Sequence, residues 1–212
     1  MGINLAGMSN TNTTPIEPGV TQVKRGNEIS LNLSKGVTLD LTKTAPSLKK
    51  VDVGLGWDVS RNKPLDLDVF AFALHNEKIL DGSDVIFFNQ PDTGKSIVLS
   101  GDNRTGAGDG DDEIIHIDLD SVPQDVTSIV LFANIYDAEK RSQNFGLVEQ
   151  AYIRLVNRET NKEECIYKLD EEGGLYNAFK FAELVRNERG WSFKTLGEGT
   201  YGDVNTLANK YV

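Results

Sequence analysis

Residues 101–113 read Gly101-Asp102-Asn103-Arg104-Thr105-Gly106-Ala107-Gly108-Asp109-Gly110-Asp111-Asp112-Glu113 and lie between two short apolar runs, 96–100 and 114–119. This segment, called here the acidic loop, holds five carboxylates, one amide and four glycines but a single arginine. Crowding like charges costs free energy, and a divalent cation held by oxygen ligands relieves the repulsion. Glycines let backbone carbonyls turn inward and join the ligands. The pattern predicts a calcium loop between two strands.

Two further carboxylates begin the run Asp66-Leu67-Asp68-Val69-Phe70-Ala71-Phe72-Ala73-Leu74. In a strand, Asp66 and Asp68 share one face with Phe70, and both faces beyond them are apolar, which predicts a buried strand with its charged beginning at the end of a sheet. The two aspartates would lie roughly 7 Å apart. Because buried carboxylates need donors or a metal, we expect the acidic loop to fold over this strand and share one or two calcium ions. Asp58 is a further candidate ligand, with a turn cap as its alternative role.

The rest of the chain is typical of an all-β protein. Short runs rich in β-branched and aromatic residues alternate with Gly, Pro, Asn and Asp, which predicts a two-sheet β-sandwich with a long acidic calcium-binding loop. Alternation over 29–41 around Ser34-Lys35-Gly36 predicts an early hairpin. Residues 178–196 predict a closing hairpin, although 178–186 also has helical propensity.

The domain boundaries follow from composition. Residues 1–24 lack hydrophobic periodicity and are predicted to be a flexible N-terminal tail. Residues 25–199 are assigned to the sandwich, and 200–212 to a C-terminal tail or short helix.

The net charge of −10 and the isoelectric point near 4.7 argue against binding to nucleic acid and against unaided binding to anionic lipid.

A single cysteine, Cys165, excludes an internal disulfide, and we expect it to be a half-buried strand residue. Residues 1–10 carry no secretory pattern, and no span approaches the roughly 20 apolar residues of a membrane helix. These features predict a cytoplasmic protein.

Competing motifs fit poorly. An EF-hand beginning at Asp109 would need glycine where Ile114 stands. A phosphate loop needs a Lys-Ser or Lys-Thr pair that does not follow these glycines. His75 and His116 lie far apart without metal-binding spacing, so structural roles are expected for both. Residues 190–194 resemble a nucleophile elbow but lack its closing glycine, so no catalytic residue is predicted.

Several motifs together resemble the TerD family of tellurium-resistance proteins. They are Val53-Gly54-Leu55-Gly56-Trp57-Asp58, Asp66-Leu67-Asp68 and the acidic loop, with Asn134-Ile135-Tyr136 and Gln143-Asn144-Phe145-Gly146 similar to later motifs of that family. The resemblance covers about 28–199. It implies a calcium-binding β-sandwich of the bacterial cytoplasm linked to tellurite resistance and stress responses, in a family that includes a slime-mould cAMP-binding protein. It also implies partner Ter proteins near the inner membrane and no settled enzymatic activity.

Carried over residue by residue, the resemblance implies a set of oxygen ligands for calcium. They are Asp66, Asp68, Asp102, Asn103, Asp109, Asp111, Asp112 and Glu113, with backbone carbonyls from Gly106 or Gly108.

The first functional hypothesis is therefore a calcium-binding interaction module in which calcium orders the acidic loop and creates a surface that partners read. The alternative from another class is a metal-dependent hydrolase of phosphates or nucleotides, which would need an open metal position and a nearby acid or base. A calcium-bridged contact to anionic lipid would need basic or apolar loop tips, and the loop offers Arg104 alone. A solvated acidic loop without bound metal is the simplest alternative.

Overall fold

The computed structural model describes residues 17–25, 28–58, 65–100, 110–169 and 174–212, and it confirms the predicted all-β sandwich. In chain order the strands are β1 (Val20–Arg25), β2 (Glu28–Leu33), β3 (Thr38–Asp40), β4 (Lys50–Asp58), β5 (Leu67–Leu74), β6 (Val85–Ile86), β7 (Ile97–Ser100), β8 (Glu113–Asp118), β9 (Ser128–Ile135), β10 (Glu149–Asn157), β11 (Lys162–Lys168), β12 (Ala178–Asn187) and β13 (Gly190–Thr200). The short helices are α1 (Leu41–Thr44), α2 (Ala138–Arg141) and α3 (Val204–Ala208). Single 3-10 turns span Gly82–Asp84 and Phe145–Leu147.

The described strands form two sheets. One has seven strands in the order β1-β2-β11-β10-β4-β8-β7, and the other has six in the order β3-β13-β12-β9-β5-β6. β4 and β8 are antiparallel neighbours, with Leu55 opposite Glu113, so the end of β4 lies beside the beginning of β8. In the facing sheet, Leu67 at the beginning of β5 lies opposite Ile135 at the end of β9.

β5 is buried on both faces, as its sequence predicts. Leu67, Val69, Ala71 and Ala73 belong to the core between the two sheets. On the other face, Phe70 and its aromatic neighbours form a second cluster, which α3 and the C-terminal residues cover. That cluster contains Phe70, Phe72, Leu74, Val130, Phe132, Ala178 and Leu207, with Tyr211 packed against it.

The predicted hairpin over 29–41 is wrong, because β2 and β3 belong to different sheets. β2 pairs with β1 and β11, whereas β3 pairs with β13. The buried Thr195 holds the crossover between them. Its hydroxyl donates to Ser34 O (2.7 Å) and accepts from Val37 N (3.0 Å). The alternation of apolar and polar residues indicates which side chains face the core, but it does not indicate which strand is the hydrogen-bonded neighbour.

The N-terminal end of the domain differs from the composition-based boundary, whereas the C-terminal end holds the short helix that was one of the two alternatives there. β1 lies within the range assigned to the tail and pairs with β2 from Val20 to Arg25, while residues 1–16 lie outside the described residues. At the other end, residues 204–208 form a short helix whose Leu207 is buried against the sheet. The predicted closing hairpin is confirmed as β12 and β13.

Cys165 is fully buried on β11 rather than half-buried, because its side chain belongs to the large hydrophobic core cluster. Burial raises the pKa of its thiol, which keeps it protonated. None of the helices among the described residues has the length and apolar character needed to cross a membrane.

Candidate metal centre

Six of the eleven candidate metal ligands lie in described parts of the chain, at one end of the sandwich. Asp58 ends β4, Asp111 and Asp112 lead into β8, and Glu113 is the first residue of β8. Asp66 immediately precedes β5, and Asp68 is its second residue. The topology places these three elements together although they are up to 55 positions apart in sequence. The other five candidates fall outside the described residues: Asp102, Asn103, Gly106, Gly108 and Asp109.

Glu113 links the two sheets. Its side chain is buried, and its Oε2 accepts a hydrogen bond from Val69 N at 2.6 Å. Val69 belongs to β5 in the six-stranded sheet, whereas Glu113 begins β8 in the seven-stranded sheet. A carboxylate that accepts a backbone N–H in the interior gains a strong hydrogen bond and offsets its desolvation. Glu113 therefore holds the end of the acidic loop beside Asp68, the residue before Val69.

Asp112 fixes the same end of the loop against β4. Trp57 N donates to its Oδ2 at 3.1 Å, and the Asp112 N–H donates to Leu55 O at 2.8 Å. Burial raises the pKa of the Asp112 carboxyl; the Trp57 hydrogen bond opposes this rise, and the negative charges of Asp111 and Asp58 add to it. The three carboxylates thus lie close enough to repel one another, and a bound cation would reverse the sign of that effect.

Asp111 turns away from its two neighbours and binds side chains of β10. Its Oδ1 accepts from Arg154 Nε at 2.7 Å and from the Tyr152 hydroxyl at 3.0 Å. Burial, followed by the negative charge of Asp111, raises the pKa of Tyr152 and keeps the phenol able to donate. Arg154 also reaches Glu163 Oε2 at 3.3 Å. This polar network on the seven-stranded sheet was not predicted from the sequence.

The glycines of β4 make room for this network. A Cβ on Gly54 would collide with the Asp111 carboxylate, and a Cβ on Gly56 would collide with the Tyr152 ring. Glycine within a strand predicts a bulge or a close approach to the backbone, and here the approaching groups are the Asp111 carboxylate and the Tyr152 ring. These glycines are the signal in the sequence that could have located the network.

Gly54→Ala is expected to lower the free energy of unfolding by about 1 kcal/mol, because the new methyl group pushes Asp111 away from Arg154. Gly54→Ala should lower the free energy of unfolding by less when Asp111→Ala is already present, because the colliding carboxylate is then gone. Denaturant unfolding of the wild type, both single variants and the double variant measures this coupling. An equal cost of Gly54→Ala in both backgrounds would contradict the assignment.

Asp66 and Asp68 are buried at the beginning of β5, with 8% and 7% of their surface exposed. Asp68 lies opposite Asn134 of β9, and the carbonyl of Asp66 accepts from Tyr136 N at 2.8 Å. Arg141 of α2 lies 3.7 Å from Asp66 Oδ2. The start of β5 and the residue before it therefore hold two buried carboxylates, as expected from the sequence.

No group of three or more His, Cys, Asp or Glu side chains forms a ready metal site within the described ranges. The two histidines have carboxylate partners instead. His116 Nδ1 lies 2.5 Å from Asp52 Oδ1, and His75 Nε2 lies 3.0 Å from Asp84 Oδ1. The described part of the centre consists of oxygen donors, which suit a hard cation such as calcium.

Comparison with known proteins identifies the family. Residues 29–211 match the model of the TerD domain. The chain belongs to the TerD domain family. It is 43% identical to General stress protein 16U of Bacillus subtilis (strain 168) over 188 residues, which are 86% of this chain and 97% of that protein. It is also 43% identical to Tellurium resistance protein TerD of Serratia marcescens over 187 residues, with the same shares covered.

A solved structure shows the same fold. The homologue of telluride resistance protein (TerD) from Streptomyces coelicolor A3(2) superposes with a TM-score of 0.64 at 24% identity, covering 76% of this chain and 96% of that one. The family model begins at Ile29, so β1 of this TerD domain precedes the matched region.

Proposed function

We propose that this TerD domain is a calcium-binding interaction module that acts in tellurium resistance or a stress response. The observation that carries the proposal is the convergence of carboxylates from β4, β5 and the end of the acidic loop. Glu113 reaches Val69 across the sandwich, and this places it next to Asp68. The names of the relatives, which refer to tellurium resistance and general stress, support the cellular context.

The residues divide into two groups by role. Glu113, Asp112 and Asp111 have described partners in Val69 N, Trp57 N and Arg154. These contacts fix the end of the acidic loop on the sandwich. Side chains that would hold one or two calcium ions are then Asp58, Asp66, Asp68 and the further oxygens of 111–113, together with Asp102, Asn103 and Asp109. Gly106 or Gly108 would add backbone carbonyls.

Calcium would supply positive charge where buried carboxylates repel one another. It suits this set better than magnesium, because the candidate ligands are numerous and all oxygen, while magnesium demands a near-ideal octahedron and keeps its waters. With the charge neutralised, the loop would fold over the start of β5 and contribute to a surface for partners. We propose Ter-type proteins of the cytoplasm, including membrane-associated ones, as those partners.

Thermal unfolding with and without calcium tests the proposal. Calcium at about 100 times its dissociation constant should stabilise the chelator-treated protein by about 2.7 kcal/mol, because it binds the folded state alone. Magnesium at the same concentration is the control and should raise the melting temperature much less. Equal melting temperatures in calcium and in chelator would contradict the proposal.

A further inference from the structure

We propose that the cleft beside Asp68 binds an arginine side chain presented by a partner polypeptide. The cleft lies where β5 begins, β9 ends and α3 begins, and its volume is about 370 Å³. This is the size of a small ligand site, sufficient for one long side chain and part of its backbone. This cleft would form part of the partner-binding surface of the proposed function. Only the calcium dependence of arginine binding rests on that proposed function.

One wall of the cleft is aromatic. Phe87 and Phe88 meet edge to face at 5.6 Å between ring centroids, and Phe88 meets Tyr136 in the same way at 6.0 Å. Phe88 and Tyr136 are 37% and 39% exposed, high values for such large apolar side chains. Exposed rings grouped in a concave surface are typical of binding sites.

The remaining lining of the cleft is strongly acidic. Among the described residues, the charged side chains that line it are Asp68, Asp137, Glu139 and Asp203, against the single cation Lys140. Lys140 is already engaged, since its Nζ lies 3.0 and 3.1 Å from the two carboxylate oxygens of Asp137. Asp203 caps α3 by accepting from Thr206 N at 2.8 Å, which leaves its charge at the rim. The cleft therefore complements a cation.

A buried amide also faces the cleft. Asn134 is 8% exposed and lines the cleft opposite Asp68. Its side-chain oxygen can accept a hydrogen bond from a ligand that donates N–H groups.

Arginine fits these features better than lysine or an apolar side chain. A guanidinium is planar, stacks on aromatic rings and offers five N–H donors to carboxylates and amides, whereas an ammonium is more strongly hydrated. The protein already shows this contact on the same wall. The guanidinium of Arg141 lies 5.4 Å from the centroid of Tyr136 and 3.7 Å from Asp66. Arg141 does not itself line the cleft.

A titration monitored by NMR tests the inference. The ligand is a blocked Gly-Arg-Gly tripeptide at physiological salt, and the comparison ligand carries citrulline, which has the shape of arginine without its charge. Phe88→Leu removes a ring of the wall, and Glu139→Gln/Asp203→Asn removes two charges while keeping the helix cap. The control Asp120→Asn/Glu188→Gln makes the same charge change at exposed sites at the opposite end of the sandwich.

The arginine peptide should shift the signals of the cleft residues and bind at least about fivefold more tightly than the citrulline peptide. Phe88→Leu and the cleft double variant should each weaken binding by about fivefold or more, while the control stays near the wild type. Binding of the arginine peptide in calcium but not in chelator, or in both of these buffers, would support the inference. Absence of binding in both, equal binding of both peptides, or unchanged binding by the cleft variants would overturn it. Calorimetry with calcium on the same samples reports the metal site separately.

Discussion

Asp68→Asn is expected to weaken calcium binding by about tenfold or more, because calcium affinity depends on the number of charged ligands. Asp68 is 7% exposed at the start of β5, and asparagine has the same shape, so the sandwich should stay folded. Calorimetric titration of the chelator-treated variant measures the affinity, and its circular dichroism spectrum checks the fold.

The matched control is Asp120→Asn. Asp120 makes an exposed ion pair with Lys49, at 3.3 Å, beyond the opposite end of β8. The substitution removes one carboxylate from the protein without changing the candidate centre. The calcium affinity of this variant should therefore equal that of the wild type. If both variants lost affinity to the same small extent, general electrostatic attraction to an acidic protein would explain the binding, and the ligand role of Asp68 would be wrong.

Asp84→Asn is expected to lower the free energy of unfolding by about 3 kcal/mol, because it leaves a cation without its buried counter-charge. Asp84 is completely buried. Its Oδ1 accepts from Lys95 Nζ at 2.6 Å and from His75 Nε2 at 3.0 Å, and its Oδ2 accepts from Leu80 N at 2.8 Å. Denaturant unfolding at neutral pH measures the loss, and Asp120→Asn again serves as the exposed control.

The effect of Asp84→Asn should depend on pH in a defined direction. Burial raises the pKa of Asp84, but the hydrogen bonds from Lys95, His75 and the backbone outweigh it, so the pKa lies below its ordinary value of 3.8. A carboxyl whose pKa falls on folding contributes stability above its unfolded pKa and loses it as the pH falls through the folded pKa. The difference between wild type and variant should shrink below about pH 4. A difference that grew there would contradict the assignment.

The strands and their buried faces could be predicted from the sequence because period-two alternation reports burial directly. β5 illustrates this, since both its inter-sheet face and its phenylalanine face were predicted and are confirmed. The position of its aspartates at the end of the sheet followed from the same pattern. Strand partners could not be predicted, as the separation of β2 from β3 shows, because many pairings satisfy one alternation pattern.

The contacts within the candidate centre could not be predicted from the sequence, for a related reason. Five carboxylates in one segment predict a cation, but they do not reveal that Asp111 faces Arg154 while Glu113 reaches Val69. These roles depend on which strands flank β8 and on the space above Gly54. Sequence patterns therefore pointed to these carboxylates as candidates, and the topology shows which contacts fix residues 111–113 on the sandwich.

The most direct measurement is a calorimetric titration of calcium into the wild-type protein after removal of bound metal by a chelator, with magnesium as the control. We predict saturable binding of one or two calcium ions per chain and much weaker binding of magnesium. No saturable heat at millimolar calcium would contradict the account, leaving a TerD β-sandwich whose acidic loop does not bind calcium.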